Sequence, residues 1–367
     1  MGDDAKSAKS VEWRKSMTTS FFALLFSLII GMILIQASGY SAIESYKAIF
    51  GVSLGTVKGF ALSLSQATPI MFTGISFALA YKVRMINTGA EGQLYAGAMT
   101  AALIGAYVTG IPGIIHVPLA LFCAFIVGGV IAGLVALAKI RFNANEIIMT
   151  LMLNDIIKFF TSYLANGPLK DAQSGIGQTI RIQESAQLTK LIPQTQLTSA
   201  IFLVILIAII LQLMLNKTVF GYEIKVTGFN LKAAKVAGIS VARTYLITFA
   251  LSGAVAALGG AVVALGVNYR FVDGFSSGYG FSGISVAALA AYSPVGAILS
   301  AFLVGVLRAG TITLNRTTRI PVEFVDVIQV LVIIFVAAPA LIHSILRWLK
   351  AFRIHRRSKE LGGAERC

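Results

Sequence analysis

The chain of 367 residues is dominated by apolar side chains: 57% of its residues are hydrophobic, 12% are charged, and its mean hydropathy is +0.83. A water-soluble fold of this composition would have too little polar surface to cover itself, which excludes a soluble protein and indicates an integral membrane protein. The formal charge of +15 would suit nucleic-acid binding, but the basic residues lie in short segments between apolar runs, where the positive-inside rule explains them.

The first predicted element is an apolar run that follows a basic N-terminus. Residues 1–16 include Lys6, Lys9, Arg14 and Lys15. The run at 17–35 is too long for the core of a secretory signal and lacks a small-residue cleavage pattern. It predicts a retained first helix behind a cytoplasmic N-terminal extension, 1–16.

Further apolar segments follow, and a helix needs about 20 apolar residues to cross the hydrocarbon core. Together the segments predict an all-α, polytopic fold of about ten transmembrane helices. The predicted crossings are 17–39, 60–82, 91–109, 114–138, 145–166, 198–215, 244–267, 281–291, 294–309 and 325–346. The eighth and ninth are short and separated by Ser293 and Pro294, so two half-helices covered by other protein are the alternative to two full crossings.

The distribution of Lys and Arg predicts the side of the membrane on which each connecting segment lies. With the N-terminus inside, the inner segments hold about twice as many basic residues as the outer ones, as the positive-inside rule requires. Both termini are therefore expected in the cytoplasm, including a basic tail, 347–367. The longest outer loop, 167–197, is rich in Gln, Ser and Thr, which suits either contact with a partner or substrate or a plain connector.

Two polar clusters interrupt the apolar spans. The first, INTGAEGQ at 86–93, brings Asn87, Glu91 and Gln93 together beside glycines that permit a tight backbone. Polar groups at membrane depth must find partners or water, so these residues are candidates for a substrate path. The alternative is structural, with Asn87 and Glu91 capping the N-terminus of the third helix.

The second cluster opens the fifth predicted helix at Asn145 and Glu146 and continues with Asn154, Asp155 and Lys158. Asp155 and Lys158 are three residues apart on one helical face, so an ion pair between them would reduce the cost of their burial. Within a membrane span such groups predict either the lining of a translocation path or polar contacts between helices.

Polar groups also occur near two predicted outer ends. Asn268 stands in a glycine-rich outer turn, and Glu323 and Asp326 stand one turn apart at the start of the last span. A solvated outer mouth is the simpler interpretation of both groups. Asn268 is also a candidate for the substrate path.

The most distinctive segment is a polar, basic island, 216–243, between two apolar spans, which predicts a cytoplasmic platform. Residues 227–236 predict a short helix that ends at Gly238. Its small surface residues are predicted to be Ala233, Ala234 and Ala237. Such a helix is shaped to seat in a groove of another protein, with Lys232 and Lys235 available for acidic groups on that partner. An amphipathic helix against lipid headgroups is the alternative.

The chain offers no catalytic or nucleotide-hydrolysing machinery of its own. It contains no GxxxxGK[ST] motif and no Gly-Lys dipeptide, so no phosphate-cradling loop is predicted. His116, His343 and His355 form no triad or metal cluster with the available Ser, Asp and Cys. Cys123 and Cys367 give neither a metal-ligand spacing nor a disulfide framework. Catalytic residues, metals and cofactors are therefore not predicted.

Three motifs, INTGAEGQ, NANEIIMTLMLND and VTGFNLKAAKVAGISV, in this order and spacing, resemble the inner-membrane permeases of bacterial ABC importers for simple sugars and nucleosides. The purine-nucleoside branch is the nearest in appearance, and the resemblance covers roughly 17–346. It implies a permease domain at 17–346 in a bacterial inner membrane, with a second, different permease subunit, a cytoplasmic ATP-binding-cassette ATPase that binds the ATP, and an extracellular substrate-binding lipoprotein.

The resemblance also implies that the island contains a coupling helix, which receives motion from the ATPase. The residues implied in ATPase coupling are Gly228, Asn230, Lys232, Ala233, Ala234 and Gly238. Asp155 departs from the family pattern, which has an aromatic residue there, so a riboflavin or simple-sugar permease is an alternative to a nucleoside permease. An ion-coupled secondary transporter, with carboxylates such as Glu91 and Glu146 as proton carriers, is a further alternative.

Overall fold

The computed structural model describes residues 41–318 and five isolated positions before them, 29, 30, 32, 33 and 36. The chain divides into the unit Ile43–Val325 and a second unit of Met1–Ala42 with Asp326–Cys367. Several predictions lie wholly or for the most part outside the described residues, namely the segments 1–16, 17–39, 325–346 and 347–367 and the residues Glu323 and Asp326. The helices of the first unit are described as far as Thr318.

Eleven α-helices follow one another in the described residues. They are α1 (Ala42–Gly55), α2 (Val57–Tyr81), α3 (Ala90–Tyr107), α4 (Gly113–Phe142), α5 (Glu146–Asn166), α6 (Ala200–Lys217), α7 (Val219–Phe229), α8 (Leu231–Val236), α9 (Val241–Val263), α10 (Tyr279–Leu289) and α11 (Pro294–Thr318). Hydroxyl and amide caps start several of them: the side chain of Thr56 accepts from the N–H of Gly59, and that of Thr218 from the N–H of Gly221. A π-helical segment, Ala264–Asn268, extends α9.

Among the described residues, five helices are long and apolar enough to cross a membrane, namely α2, α4, α5, α6 and α9 with its extension. The pair α10 and α11 passes the same test only together, and the two helices are bent by 120° at their junction. The pair is therefore a broken span or a re-entrant loop, in agreement with the predicted half-helices. The described part of the chain is helical and polytopic, with up to six candidate spans.

Close backbone contacts between small residues hold α9 at the centre of this unit. A Cβ on Gly128 of α4 would overlap the carbonyl of Gly253 in α9, and a Cβ on Gly260 of α9 would overlap the carbonyl of Leu94 in α3. Helices gain no hydrophobic driving force by associating in lipid, so such close approach supplies much of their packing energy. In α9 78% of the spanning window is buried, whereas in α5 only 17% is buried.

The long loop between α5 and α6 is fastened to the segment that follows α9. Its backbone N–H groups at Ile182 and Leu188 donate to the carbonyls of Tyr269 and Leu265, at 2.9 and 3.1 Å. A salt bridge of 3.2 Å joins Arg270 to Asp171 in the same region. The loop at 167–197 is therefore an anchored cover over this end of α9, which sequence composition alone did not distinguish from a plain connector.

Candidate substrate path and coupling site

The turn between α2 and α3 holds a buried network of amides and hydroxyls. Asn87 and Gln93 exchange two hydrogen bonds, with Asn87 Nδ2 donating to Gln93 Oε1 at 2.9 Å and Gln93 Nε2 donating to Asn87 Oδ1 at 3.1 Å. Asn87 also donates to Ser252 Oγ of α9 at 2.9 Å, and Ser252 donates to the Ser76 carbonyl of α2 at 2.8 Å. The two amides, 0% and 1% exposed, thus tie α2, α3 and α9 together. In this conformation their polar atoms bond to the protein itself.

Asn154 connects α5 to the same turn. Its Oδ1 accepts the N–H of Gly92 at 2.7 Å, and its Nδ2 donates to the carbonyl of Thr88 at 2.8 Å. The hydroxyls of Thr88 and Thr150 form a further hydrogen bond between the turn and α5. Asn154 is 5% exposed, so both ends of its amide are matched by backbone groups inside the protein. This residue therefore fixes the position of α5 against the first turn of α3.

Glu91 caps a helix, but the helix is α10. Its Oε2 accepts the N–H of Gly280 at 2.6 Å, where a carboxylate satisfies an unpaired backbone donor and complements the positive end of the helix dipole. The predicted capping of α3 by Asn87 and Glu91 is wrong, because neither side chain accepts an N–H of its first turn. Asn87 Oδ1 instead accepts the N–H of Gly89, the residue before the helix, at 3.1 Å. Glu91 is only 8% exposed. Its role in the described structure is to join α3 to α10.

Arg308 of α11 is a buried cation that sequence patterns did not single out. It is 8% exposed, and its guanidinium donates to the Ser277 carbonyl at 2.9 Å and to Ser282 Oγ at 3.0 Å. The guanidinium carbon lies 5.0 Å from the centroid of the Tyr279 ring. Arg308 therefore anchors the first turns of α10 from the side of α11.

Asn145 and Glu146 complete the turn between α4 and α5. Asn145 Oδ1 accepts the N–H groups of Ile147 and Ile148 at 2.9 and 3.3 Å, which makes it the N-cap of α5. Glu146 forms a salt bridge with Lys139 of α4. The structure thus places these two candidates at the end of α5 that adjoins the turn between α2 and α3, where the Thr88 hydroxyl bonds to the Ile147 carbonyl at 3.4 Å.

Asp155 and Lys158 lie on the exposed face of α5. Both side chains are exposed, and the salt bridges of the described residues do not include one between them. The predicted pairing is therefore not present in the described structure. Their neighbours on this face are large and apolar, with Ile156, Phe159 and Tyr163 58%, 71% and 66% exposed. The face combines two charges with an apolar surface of membrane length.

Asn268 lies in the π-helical end of α9 and is half-buried. Next to it, the ring of Tyr269 is flanked by the cations of Arg181 and Lys190, at 5.5 and 5.4 Å from its centroid. Asn268 lies beside the anchored loop, because the neighbouring Tyr269 carbonyl accepts from Ile182 of that loop. The structure does not join it to the other candidates in one site.

An aromatic cluster between α3 and the segment before α10 was also not predicted from the sequence. The ring centroids of Tyr95 and Phe275 are 4.8 Å apart, and those of Phe271 and Phe275 are 5.7 Å apart. Tyr95 and Phe271 are each 1% exposed. Aromatic residues are common in apolar spans, so only the fold reveals that these three meet.

The island forms two short helices, α7 and α8, joined at Asn230. Asn230 Oδ1 accepts the N–H groups of Lys232 and Ala233 at 2.9 and 3.2 Å, and the chain leaves α8 through Gly238 with φ of 76°. The predicted end of the short helix is confirmed, but its predicted start at 227 is wrong, because 227–229 belong to α7 and α8 begins after Asn230. The prediction that Ala234 lies on the surface is wrong, because Ala234 is 0% exposed.

The surface of this platform carries apolar side chains that the sequence analysis did not select. Phe229 is 92% exposed and Val236 is 90% exposed, at either end of α8. Lys232, Ala233 and Lys235 are exposed between them. A single exposed apolar residue is common on a protein surface. Two strongly exposed apolar residues on either side of basic residues make a candidate contact surface.

Gly228 brings α7 against the end of α2. A Cβ at this glycine would overlap the carbonyl oxygen of Lys82. Burial lowers the pKa of Lys82, and the charge of Lys225 on α7 lowers it further. The two segments that were predicted to be cytoplasmic on the basis of charge therefore lie at the same end of the unit.

The match to a known family spans almost all of this architecture. A family described as branched-chain amino acid transport system / permease component matches residues 59–337. The chain belongs to this family. The matched region starts in α2 and includes the Asn87 network, the exposed face of α5 and the platform of α7 and α8.

Individual relatives within the ABC permeases cover nearly the full length. The guanosine ABC transporter permease of Bacillus subtilis is 34% identical over 89% of this chain and 95% of its own length. A nucleoside ABC transporter permease of Lactococcus lactis is 29% identical over 95% of this chain and 98% of its own. A glucose ABC transporter permease of Haloferax volcanii is 31% identical over 86% of both chains.

Membership in this family identifies the chain as a transport component and not an enzyme. It is a multi-pass inner-membrane permease of the ABC type, in agreement with its apolar spans. Permeases of this type work in general with an ATPase and a substrate-binding protein. The expected absence of a nucleotide-hydrolysing motif in the permease itself follows from this division of labour.

Proposed function

We propose that this chain is the permease subunit of an ABC importer that carries nucleosides, and purine nucleosides in particular, across the cytoplasmic membrane. The single observation that carries this proposal is the likeness to the guanosine permease over nearly the full length of both chains. The nucleoside permease relative supports the same substrate class.

The proposed assembly is the one that the resemblance to ABC permeases implies. The chain has about ten transmembrane helices and both termini in the cytoplasm, and it pairs with a second, different permease subunit. A cytoplasmic ATPase with two fused nucleotide-binding modules binds the ATP, and an extracellular lipoprotein delivers the substrate. The joint position of Lys82 and the basic island at one end supports this orientation, because basic segments remain on the cytoplasmic side.

The exposed face of α5 supports the presence of the second permease subunit. A charged side chain at the centre of a span costs about 2.5–3.5 kcal/mol on insertion scales, so Asp155 and Lys158 are poorly suited to face lipid. Only 17% of the spanning window of α5 is buried within this chain. A second subunit opposite α5 would enclose an aqueous path between the two proteins, with Asp155 and Lys158 along it.

The platform of α7 and α8 supports docking of the ATPase. Phe229 and Val236 present apolar side chains, and Lys232 and Lys235 supply cations for an acidic rim around the receiving groove. Gly228, Asn230, Ala233 and Gly238 shape the backbone that presents them, and Ala234 supports it from beneath. A surface of apolar anchors with a charged rim is the usual form of a specific protein contact.

The test of substrate class uses the complete complex in proteoliposomes, with ATP supplied on the side of the membrane that the ATPase faces. Uptake of guanosine, adenosine, uridine, ribose, glucose and riboflavin is compared at equal concentration. We expect saturable, ATP-dependent uptake of the purine nucleosides. Preferential uptake of glucose or ribose would establish the sugar alternative, which the glucose permease relative favours. Uptake by this chain alone without an ATPase would contradict the ABC mechanism.

A further inference from the structure

The turn between α2 and α3, residues 82–89, contacts three other helices, α5, α7 and α9. Three backbone hydrogen bonds make its first part stiff, from the N–H groups of Val83, Arg84 and Met85 to the carbonyls of Ala80 and Tyr81. Arg84 adopts φ of 59°, which a non-glycine residue adopts only where its surroundings hold it. A turn held in this way moves as a body when one of its neighbours is displaced.

On one side the turn meets the platform. The α7 backbone at Gly228 lies so close to the Lys82 carbonyl that no Cβ fits between them. Contact between two backbones leaves no flexible side chain to absorb a displacement. Any movement of α7 toward α2 therefore reaches the turn directly.

On the other side the turn forms hydrogen bonds with α5. The Thr88 carbonyl accepts from Asn154 Nδ2 at 2.8 Å, and the Thr88 hydroxyl bonds to the Thr150 hydroxyl and, at 3.4 Å, to the Ile147 carbonyl. These contacts hold the buried edge of α5, the edge opposite its exposed face. They are the principal polar links between the turn and α5 in the described residues.

Two further contacts extend from the same turn and the end of α2. Asn87 donates to Ser252 of α9 at 2.9 Å. The ring of Tyr81 stacks on that of Tyr292, with centroids 3.7 Å apart, at the junction of α10 and α11. The turn therefore connects the platform to α5 and α9, and the adjoining end of α2 contacts the bent helix pair.

We propose that residues 82–89 form the mechanical relay through which the platform moves α5, with Gly228 as its input contact and Thr88 as its output contact. This inference rests on the proposed function, since it assigns a route to the coupling between the ATPase and transport. Thr88 acts here as a positioning residue, because it touches α5 and not the substrate. A chain of packed and hydrogen-bonded contacts of this kind can carry energetic coupling between distant sites.

A double-mutant cycle tests the route in the reconstituted complex. The variants are Gly228→Ala, Thr88→Val and the pair together, and the readout is guanosine taken up per ATP hydrolysed. Each single variant should lower this ratio by about fivefold or more, the lower end of typical coupling. Because both contacts serve one route, the double variant should be no worse than the more severe single variant, whereas independent sites would show multiplied effects.

Matched controls separate coupling from folding. Thr161→Val removes a hydroxyl that bonds only within α5, to Ile157 and Lys158 carbonyls, and Gly175→Ala adds a methyl in open space. Both controls should keep the wild-type ratio. Thr88→Ser, which retains the hydroxyl, should restore it. Multiplied effects in the double variant, or an unchanged ratio in Thr88→Val, would overturn the relay.

A substrate-independent measurement keeps the relay distinguishable from the proposed function. Hydrogen exchange of the amides at 146–154 is compared with and without a non-hydrolysable ATP analogue. The analogue should alter exchange in the wild-type complex and in Thr161→Val, and this response should be lost in Gly228→Ala and Thr88→Val. If these exchange differences are seen but the complex transports no nucleoside, the proposed substrate class is refuted and the relay is supported. A response that persists in both relay variants would refute the relay.

Discussion

The carboxylate of Glu91 accepts a hydrogen bond from the backbone N–H of Gly280 at 2.6 Å, which joins the first turn of α3 to the first turn of α10 across 189 residues of sequence. A cap supplied from so far along the chain makes the bent pair α10 and α11 dependent on α3. Charge-assisted bonds of this kind, at a helix N-terminus and away from water, are among the stronger polar contacts in proteins.

Replacing Glu91 by Leu should destabilise the protein by about 2–3 kcal/mol, because the buried N–H of Gly280 would be left without its acceptor. Glu91→Gln, which keeps an acceptor oxygen but loses the charge, should have a smaller effect. Thermal unfolding of the purified complex measures both, and Glu184→Gln in the exposed part of the loop is the control. Equal unfolding temperatures for the wild type and Glu91→Leu would show that the cap is unimportant.

Replacing Phe229 by Ser should weaken binding of the ATPase by roughly tenfold or more, as for an anchor residue of an interface. The fold should be unaffected, since the Phe229 side chain is 92% exposed. Binding is measured as the dissociation constant of the ATPase from the permease complex. Ile114→Ser is the matched control, because Ile114 is 89% exposed but lies at the start of α4, away from the platform. Equal affinities for Phe229→Ser and Ile114→Ser would contradict docking at this surface.

A larger side chain should lower the stability of the platform at Ala234 but not at Ala233. Ala234→Leu inserts volume into a packed site and should destabilise the platform by about 1–3 kcal/mol, whereas Ala233→Leu should be tolerated by the fold because Ala233 is exposed. Thermal unfolding and limited proteolysis at 216–243 distinguish them. Similar stability of the two variants would show that the burial of Ala234 does not matter for the platform.

The exposed face of α5 should be accessible to water in the assembled transporter. In a background without Cys123 and Cys367, Asp155→Cys should react with a water-soluble maleimide, and guanosine with ATP should slow the reaction. Ile126→Cys, on an apolar and 46% exposed part of α4, is the control and should react slowly because it faces lipid. Labelling of Asp155→Cys as slow as that of Ile126→Cys would remove α5 from the path.

Much of the fold could be predicted from the sequence, because hydropathy and capping are local. The predicted spans at 60–82, 114–138 and 145–166 correspond to α2, α4 and α5 within a few residues. Ser293 and Pro294 correctly marked the break between α10 and α11. The short helix ending at Gly238 followed from the residues themselves, since Asn caps and left-handed Gly act on their own neighbours.

The candidate site was less predictable. Sequence patterns found Asn87, Gln93 and Asn154 as polar groups at membrane depth, yet a pattern cannot say whether such a group faces a path or another helix. The structure shows that their hydrogen bonds are made within the protein. It also distinguishes them from Asp155, which shares a predicted cluster with the buried Asn154 but is itself exposed on α5.

The sequence by itself determined that this is a helical, polytopic membrane protein without a nucleotide-hydrolysing motif, with a basic platform and with motifs of an ABC permease. These properties depend on composition and on contacts between near neighbours. The tertiary structure alone decided that Ala234 is buried, that Phe229 and Val236 are presented, and that Glu91 caps α10. Each of these depends on which helices pack side by side, and that choice is made by small residues such as Gly228 and Gly253 whose partners lie far away in the chain.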